Sequence, residues 1–277
     1  MAAKEWGLDW KGQSLRGLVW QPQGEVKGIV STVHGLGEHI GRYDHVAEYL
    51  SSHGYAFLGV DLLGHGRSPG ARGHVGKYEH IMEQIDTLLY RVSNVFSDAS
   101  LFVYGHSMGG NIVLNYLARR QPELAGAVVT SPWLQLTRPV PRAAVALMQL
   151  MARVKPELAR PNGLASALLS RDERVAADYE ADPLVHNLIT VQTFVELTKA
   201  AEWVMANPDS IRTPLLLMHG SADNITDPTA SRRLAQRIGQ SCTFRLWEGS
   251  YHELHNELDK GLVLDTIRQW LDSRCGG

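Results

Sequence analysis

Ser107 sits at the centre of Gly105-His106-Ser107-Met108-Gly109, a G-x-S-x-G pentapeptide that would hold a hydroxyl at the tip of a sharp turn. A serine hydroxyl is a weak nucleophile and needs an adjacent base, itself oriented by a third group. Both partners are available far downstream. His219-Gly-Ser-Ala-Asp223 and Trp247-Glu-Gly-Ser-Tyr-His252 supply a carboxylate and an imidazole in the chain order Ser, Asp, His. Asp223 is the preferred acid, while Asp227, followed by Pro228, reads as a helix N-cap and stays a second candidate. His252 is the preferred base. His255 should fall in the first turn of the last helix, where a surface role is expected. The chemistry is acyl transfer through a serine ester, whose oxyanion needs two backbone N–H donors. Met108, the residue after the nucleophile, and Leu36, in His34-Gly35-Leu36-Gly37, are the candidates. The alternative for the pentapeptide is a glycine-rich left-handed turn with Ser107 as a mere N-cap.

That chemistry requires a strand before the serine and a helix after it. Residues 101–104 are rich in β-forming side chains, and 112–119 have helical apolar spacing. An opening hairpin is predicted over 6–10 and 15–20, with buried strands over 28–33, 55–60, 125–130, 214–219 and 243–247. Helices are predicted over 43–52, 78–96, 228–238 and 254–271. From 131 to about 207 helical patterns and prolines dominate, with no convincing strand. The alternation predicts an α/β fold over 1–277: a mostly parallel sheet with helices on both faces and a helical cap inserted at about 132–207. In such sheets ligands bind beyond the carboxyl ends of the strands, where Ser107, the Gly35 loop and the loop after His219 fall. Asp61 and Arg67, in the Asp61-to-Ser68 loop, read as structural, holding that loop by hydrogen bonds. Over 140–154, Val140, Ala144, Leu147, Met151 and Val154 share one helical face beside Leu150. That face either lines an acyl tunnel and touches lipid, or packs on the core.

The composition narrows the function classes. With 44% hydrophobic and 20% charged residues, the 277-residue chain has the material for a large core. A net charge of −2 makes no case for nucleic acid. The first residues lack the apolar stretch of a secretory leader, and no apolar run approaches the roughly 20 residues of a membrane span. A cytoplasmic protein is expected, peripheral to a membrane at most through its cap. Cys242 and Cys275, the only cysteines, read as reduced structural thiols, and no metal-ligand spacing is visible.

Taken together, His34-Gly-Leu-Gly-Glu-His-Ile-Gly-Arg-Tyr43, Asp61-Leu-Leu-Gly-His-Gly-Arg-Ser68, Gly105-His-Ser-Met-Gly-Gly110, Ser131-Pro132, Gly220-Ser-Ala-Asp223 and Glu248-Gly-Ser-Tyr-His252 resemble the monoacylglycerol lipase family, lysophospholipase-like serine hydrolases of the α/β-hydrolase fold. The resemblance covers nearly the whole chain and is weakest in the cap. It implies a Ser107–Asp223–His252 triad, with Leu36 and Met108 at the oxyanion hole and no cofactor. The implied substrate is a lipid or small ester, most directly a monoacylglycerol cleaved to glycerol and fatty acid. It also implies substrate-binding roles for Arg42 and His106 near the glycerol end, and for Tyr179 in the cap. Where some members carry an acidic residue for the glycerol hydroxyls, this chain has Val175, with Glu173 nearby. A broader esterase acting on short or medium acyl esters therefore stays open, as does a lysophospholipase; neither triad nor oxyanion hole separates an esterase from a thioesterase, and a non-catalytic hydrolase-fold binding protein is the last alternative.

Overall fold

Residues Lys4–Trp10 (β1) and Gln13–Trp20 (β2) pair antiparallel around Lys11-Gly12, whose φ angles of 50° and 77° give the two-residue turn suited to the twist of a hairpin. Strand and helix then alternate through Gly28–Val33 (β3), Asp44–Ser52 (α1), Tyr55–Val60 (β4), Tyr78–Val95 (α2), Ser100–His106 (β5), Met108–Arg120 (α3) and Gly126–Thr130 (β6). An excursion carries Arg142–Val154 (α4), Ala159–Pro161 (β7), Glu173–Ala181 (α5), Leu188–Thr190 (β8) and Val191–Ala206 (α6). Alternation resumes with Leu215–Gly220 (β9), Pro228–Ile238 (α7), Cys242–Trp247 (β10) and Lys260–Asp272 (α8). The structure, a computed structural model, describes residues 3–96 and 99–275. Met1 and Ala2, which open the stretch read as lacking a leader, lie outside them.

Eight strands form one sheet in the order β1-β2-β4-β3-β5-β6-β9-β10. The hairpin is antiparallel and β2 joins β4 antiparallel, while every pairing from β4 to β10 is parallel. The two-residue period of the strands sorts their side chains between two helical layers. Val103, Ala127, Val129, Leu215 and Leu217 face one cluster, with α2, α3, α6 and α7. Phe102, Tyr104, Val128, Leu216 and Met218 face the other, with α1 and α8. A sheet covered on both faces needs mostly apolar side chains on both, and β3, β4, β6 and β9 are buried at every position. Each fully buried Val, Leu, Phe or Met side chain among them contributes roughly 1.5–3 kcal/mol.

The excursion departs from the sequence reading in three ways. Its helical block contains a two-stranded ladder, β7 against β8, pairing Ala159 with Thr190 and Pro161 with Leu188. Three-residue strands, one with a proline, are too short to carry a period. Its last helix, α6, buries Leu197, Ala200 and Val204 in the cluster that holds α3. The side-chain amides of Asn111 and Asn115 donate to the carbonyls of Leu197 and Ala200 across that contact. Finally, the predicted apolar face of α4 splits. Met148 is buried with Val140, Val145 and Met151 packed around it, whereas Leu147, Leu150 and Val154 stand 57%, 59% and 75% exposed. Among the described residues, no helix is long and apolar enough to cross a membrane.

Candidate active site

β5 delivers the chain to Ser107 and α3 begins at the next residue, so the backbone must reverse within one position. Ser107 takes φ 53° and ψ −113°, a strained conformation for a residue with a side chain. Hydrogen bonds over-determine it: the Ser107 amide donates to the Thr130 carbonyl, and its own carbonyl accepts from Asn111 and Trp133. The flanking glycines leave the room. A Cβ on Gly105 would stand 2.6 Å from the Gly109 carbonyl oxygen, and one on Gly109 would overlap the Val33 carbonyl.

Three side chains from distant parts of the chain meet there. The Ser107 hydroxyl lies 2.9 Å from His252 Nε2, and His252 Nδ1 lies 2.7 Å from Asp223 Oδ2. With the Nδ1 proton donated to the carboxylate, Nε2 is left as acceptor for the hydroxyl. The loops that carry the pair are themselves pinned. Asp223 Oδ1 accepts from the amides of Ile225 (2.7 Å) and Thr226 (3.0 Å), and its Oδ2 accepts from the Thr226 hydroxyl (2.9 Å) and from His219 Nε2 (3.1 Å). The Ser131 hydroxyl donates to the His252 carbonyl at 2.7 Å. Burial works to raise the Asp223 carboxyl, but His252 and His219 beside it bring it well below the usual carboxylate range. Burial works to lower the His252 imidazole, but the Asp223 charge and hydrogen bond, with Glu253 and Glu38, raise it above 6.5. Asp227, the second candidate acid, caps α7 by accepting from the Thr229 amide at 2.8 Å.

The loop after β3 closes the other side. A Cβ on Gly35 would come within 3.4 Å of Ser107 Cβ, and Leu36 lines the same cavity as Ser107. Met108, fully buried, is the first residue of α3. His34 braces the loop by donating to the Gly35 carbonyl (2.7 Å) and accepting from the Leu62 amide (2.9 Å). Asp61 holds the neighbouring loops through the amides of Ile40 (2.9 Å) and Arg67 (2.8 Å), a structural part played without the Arg67 guanidinium.

The cavity over Ser107 has two chemically distinct walls. One is apolar: Trp133, Leu136, Val140, Ile189 and Phe194 pack as one cluster with Leu36. The other contains Glu38, Arg42, His106, Tyr179 and Glu253. Arg42 pairs with both oxygens of Glu253 and with Glu38, and its guanidinium lies 4.9 Å over the Tyr179 ring. His106 shares a 3.0 Å hydrogen bond with Thr130 and packs 4.8 Å from the His252 ring, and burial followed by the two neighbouring imidazoles keeps it neutral. Arg42, His106 and Tyr179, carried here by resemblance, therefore do line one wall. Val175 and Glu173 do not line the cavity; Tyr179, one turn further along α5, does.

His255 is a correction. It is fully buried rather than on the surface, stacked 4.9 Å from Tyr43, and burial pushes its imidazole down to about 3. Leu254–Asn256 closes as a 3-10 turn beneath the site, and α8 starts only at Lys260. The sequence reading also passed over Glu38, Glu253 and Thr226. Glu253 adjoins His252 and Glu38 adjoins the Gly35 loop, so adjacency was the available signal, but their shared partner Arg42 is 211 residues from Glu253.

Residues 24–259 match the Hydrolase_4 family, described as serine aminopeptidase S33. A monoacylglycerol lipase of Mycolicibacterium smegmatis is 33% identical over 257 residues, covering 92% of this chain and 91% of that protein. An abhydrolase domain-containing protein of Dictyostelium discoideum is 34% identical over 94% of this chain, which spans 28% of that protein's length. Among solved structures, the monoacylglycerol lipase of Paleococcus ferrophilus gives a TM-score of 0.87 at 34% identity, over 94% of this chain and 99% of that one.

Proposed function

The chain belongs to the Hydrolase_4 (serine aminopeptidase S33) family beside the monoacylglycerol lipases, as a carboxylic ester hydrolase of α/β-hydrolase fold, and on that premise we propose that it cleaves monoacylglycerols to glycerol and fatty acid with Ser107, His252 and Asp223 as catalytic triad. The observation that carries the mechanism is the unbroken relay of 2.9 Å from hydroxyl to imidazole and 2.7 Å from imidazole to carboxylate. Ser107 attacks the ester carbonyl as His252 Nε2 takes its proton. The tetrahedral oxyanion is stabilised by the amides of Leu36 and Met108. His252 then gives the proton to the departing alcohol, and the carbonyl re-forms as an acyl-enzyme. Water, deprotonated by the same nitrogen, releases the acid and restores the hydroxyl. Asp223 keeps the ring in the tautomer that leaves Nε2 free to accept.

The two walls support the substrate class. An acyl chain belongs against Trp133, Leu136 and Phe194, which leaves the alcohol to the polar wall of Arg42, His106 and Tyr179. The excursion between β6 and β9 acts as a cap over that cavity. Its exposed Leu147, Leu150 and Val154 make transient contact with a lipid surface, flanked on α4 by Arg153 and just beyond it by Lys155. The test is Ser107→Ala, assayed on monoacylglycerols and with an active-site phosphonate. Both hydrolysis and labelling should vanish while the fold, read by circular dichroism, persists. Labelling that survives would move the nucleophile elsewhere.

A further inference from the structure

Arg42 lies on the polar wall and, taken alone, is the group an anionic phosphate would seek. Its surroundings remove that possibility. Its two terminal nitrogens donate to both oxygens of Glu253 at 2.6 and 2.8 Å, and Nη1 also donates to Glu38 at 2.8 Å. Glu38 further accepts from the Gly35 amide (2.5 Å) and the Tyr43 hydroxyl (2.8 Å), and Glu253 from the Asn256 side-chain amide (2.7 Å). These partners are donors, the environment of ionised carboxylates. One guanidinium thus serves two negative charges, and the Arg42, Glu38 and Glu253 side chains are only 10%, 3% and 3% exposed.

We propose that Glu253 and Glu38, by outweighing the single positive charge of Arg42, make the alcohol end of the cavity exclude anions, so that the enzyme cleaves acyl esters of neutral polyols and rejects those whose alcohol carries a phosphate. The inference rests on the ester hydrolase reading above and on its assignment of the alcohol to the polar wall. A phosphate reaching Arg42 must displace Glu253 and leave a buried carboxylate without its counter-charge, a penalty worth about 10²-fold or more in rate. A phosphate that leaves the pair intact meets two carboxylates against one cation, with the Asp223 carboxylate two side chains away behind His252. Neutral hydroxyls meet no such barrier. The Tyr179 hydroxyl is buried without a hydrogen-bond partner among the described residues, and the His106 ring, which lines the same cavity, is uncharged. Arg138 and Arg160 also line the cavity, but as exposed side chains of the excursion, with Arg160 laid over the Phe194 ring of the apolar wall.

The experiment measures kcat/KM of the purified protein for mono-oleoylglycerol and for its phosphate monoester, presented in the same neutral detergent micelles. The phosphate ester should be slower by about 10²-fold or more, and Glu253→Gln should narrow that gap by at least about fivefold. A wild-type protein that cleaves the two esters within about threefold of each other overturns the inference and leaves the esterase reading standing. A folded Glu253→Gln protein with an unchanged gap does the same. Should that variant fail to fold, product inhibition of the wild type decides: glycerol should compete with mono-oleoylglycerol and glycerol phosphate should not, and equal competition overturns the inference. Inactivity on both esters and on p-nitrophenyl butyrate would strike the esterase reading itself, and the inference would fall with it.

Discussion

His252 handles every proton in the proposed reaction, and its neighbours set the pH at which it can act. Burial alone would lower its imidazole, but Asp223 at 2.7 Å, with Glu253 and Glu38 further off, raises it above 6.5. Attack requires neutral Nε2, so kcat/KM should fall with decreasing pH through an inflection above 6.5. Asp223→Asn removes the charge that does most to raise the ring. The inflection should then move to lower pH, while kcat falls by about 10⁴ because the ring loses its tautomer. A pH–rate profile of that variant with its inflection unmoved would mean that something other than the carboxylate holds the proton on His252.

Elements matter here for what they hold apart as much as for what they bring together. The strained turn between β5 and α3 survives because Gly105 and Gly109 let strand and helix approach to backbone contact. α4 is the opposite case, an element with too much apolar surface for the interior it meets. One stripe, centred on Met148, packs down, and a second stripe of Leu147, Leu150 and Val154 is left in solvent. Leu147→Glu should change stability by no more than about 0.5 kcal/mol, because the side chain is exposed. It should reduce hydrolysis of long-chain monoacylglycerol in vesicles by at least about fivefold, and leave p-nitrophenyl acetate turnover unchanged. Parallel loss on both substrates would refute a lipid-contacting role for this face.

The whole molecule buries more imidazoles than its mechanism uses. His34, His65, His106 and His255 are essentially buried, and in each burial is the leading cause of a pKa below 6.5, to about 3 for His255. Folded, these rings stay neutral where the unfolded chain would protonate them. Their contribution to stability is therefore intact above pH 6.5 and lost progressively as pH falls from there towards their folded values. Asp223 and Glu253, held below the usual carboxylate range, add a further loss only in stronger acid. Calorimetric Tm should decline already between pH 6.5 and 5, before carboxylates titrate, offset only in part by His252, whose raised imidazole has the opposite sign and stabilises the fold most at low pH. A level Tm down to pH 5 would contradict this account.

The α/β alternation was legible because period 2 and period 3.6 are written locally, and most strand and helix bounds fall within a few residues of expectation. Ser107, Asp223 and His252 could be singled out because each follows a strand, and a parallel sheet sends the ends of its strands to one edge. What lay beyond the sequence were matters of partnership. Nothing local tells that Glu253 reaches Arg42 across 211 residues, that His255 lies under the site rather than on the surface, or which stripe of α4 is buried. Periodicity reports that a side chain has a preferred face. Only the packed chain supplies the atoms that face it, and charge pairing, exposure and proton affinity all depend on those atoms.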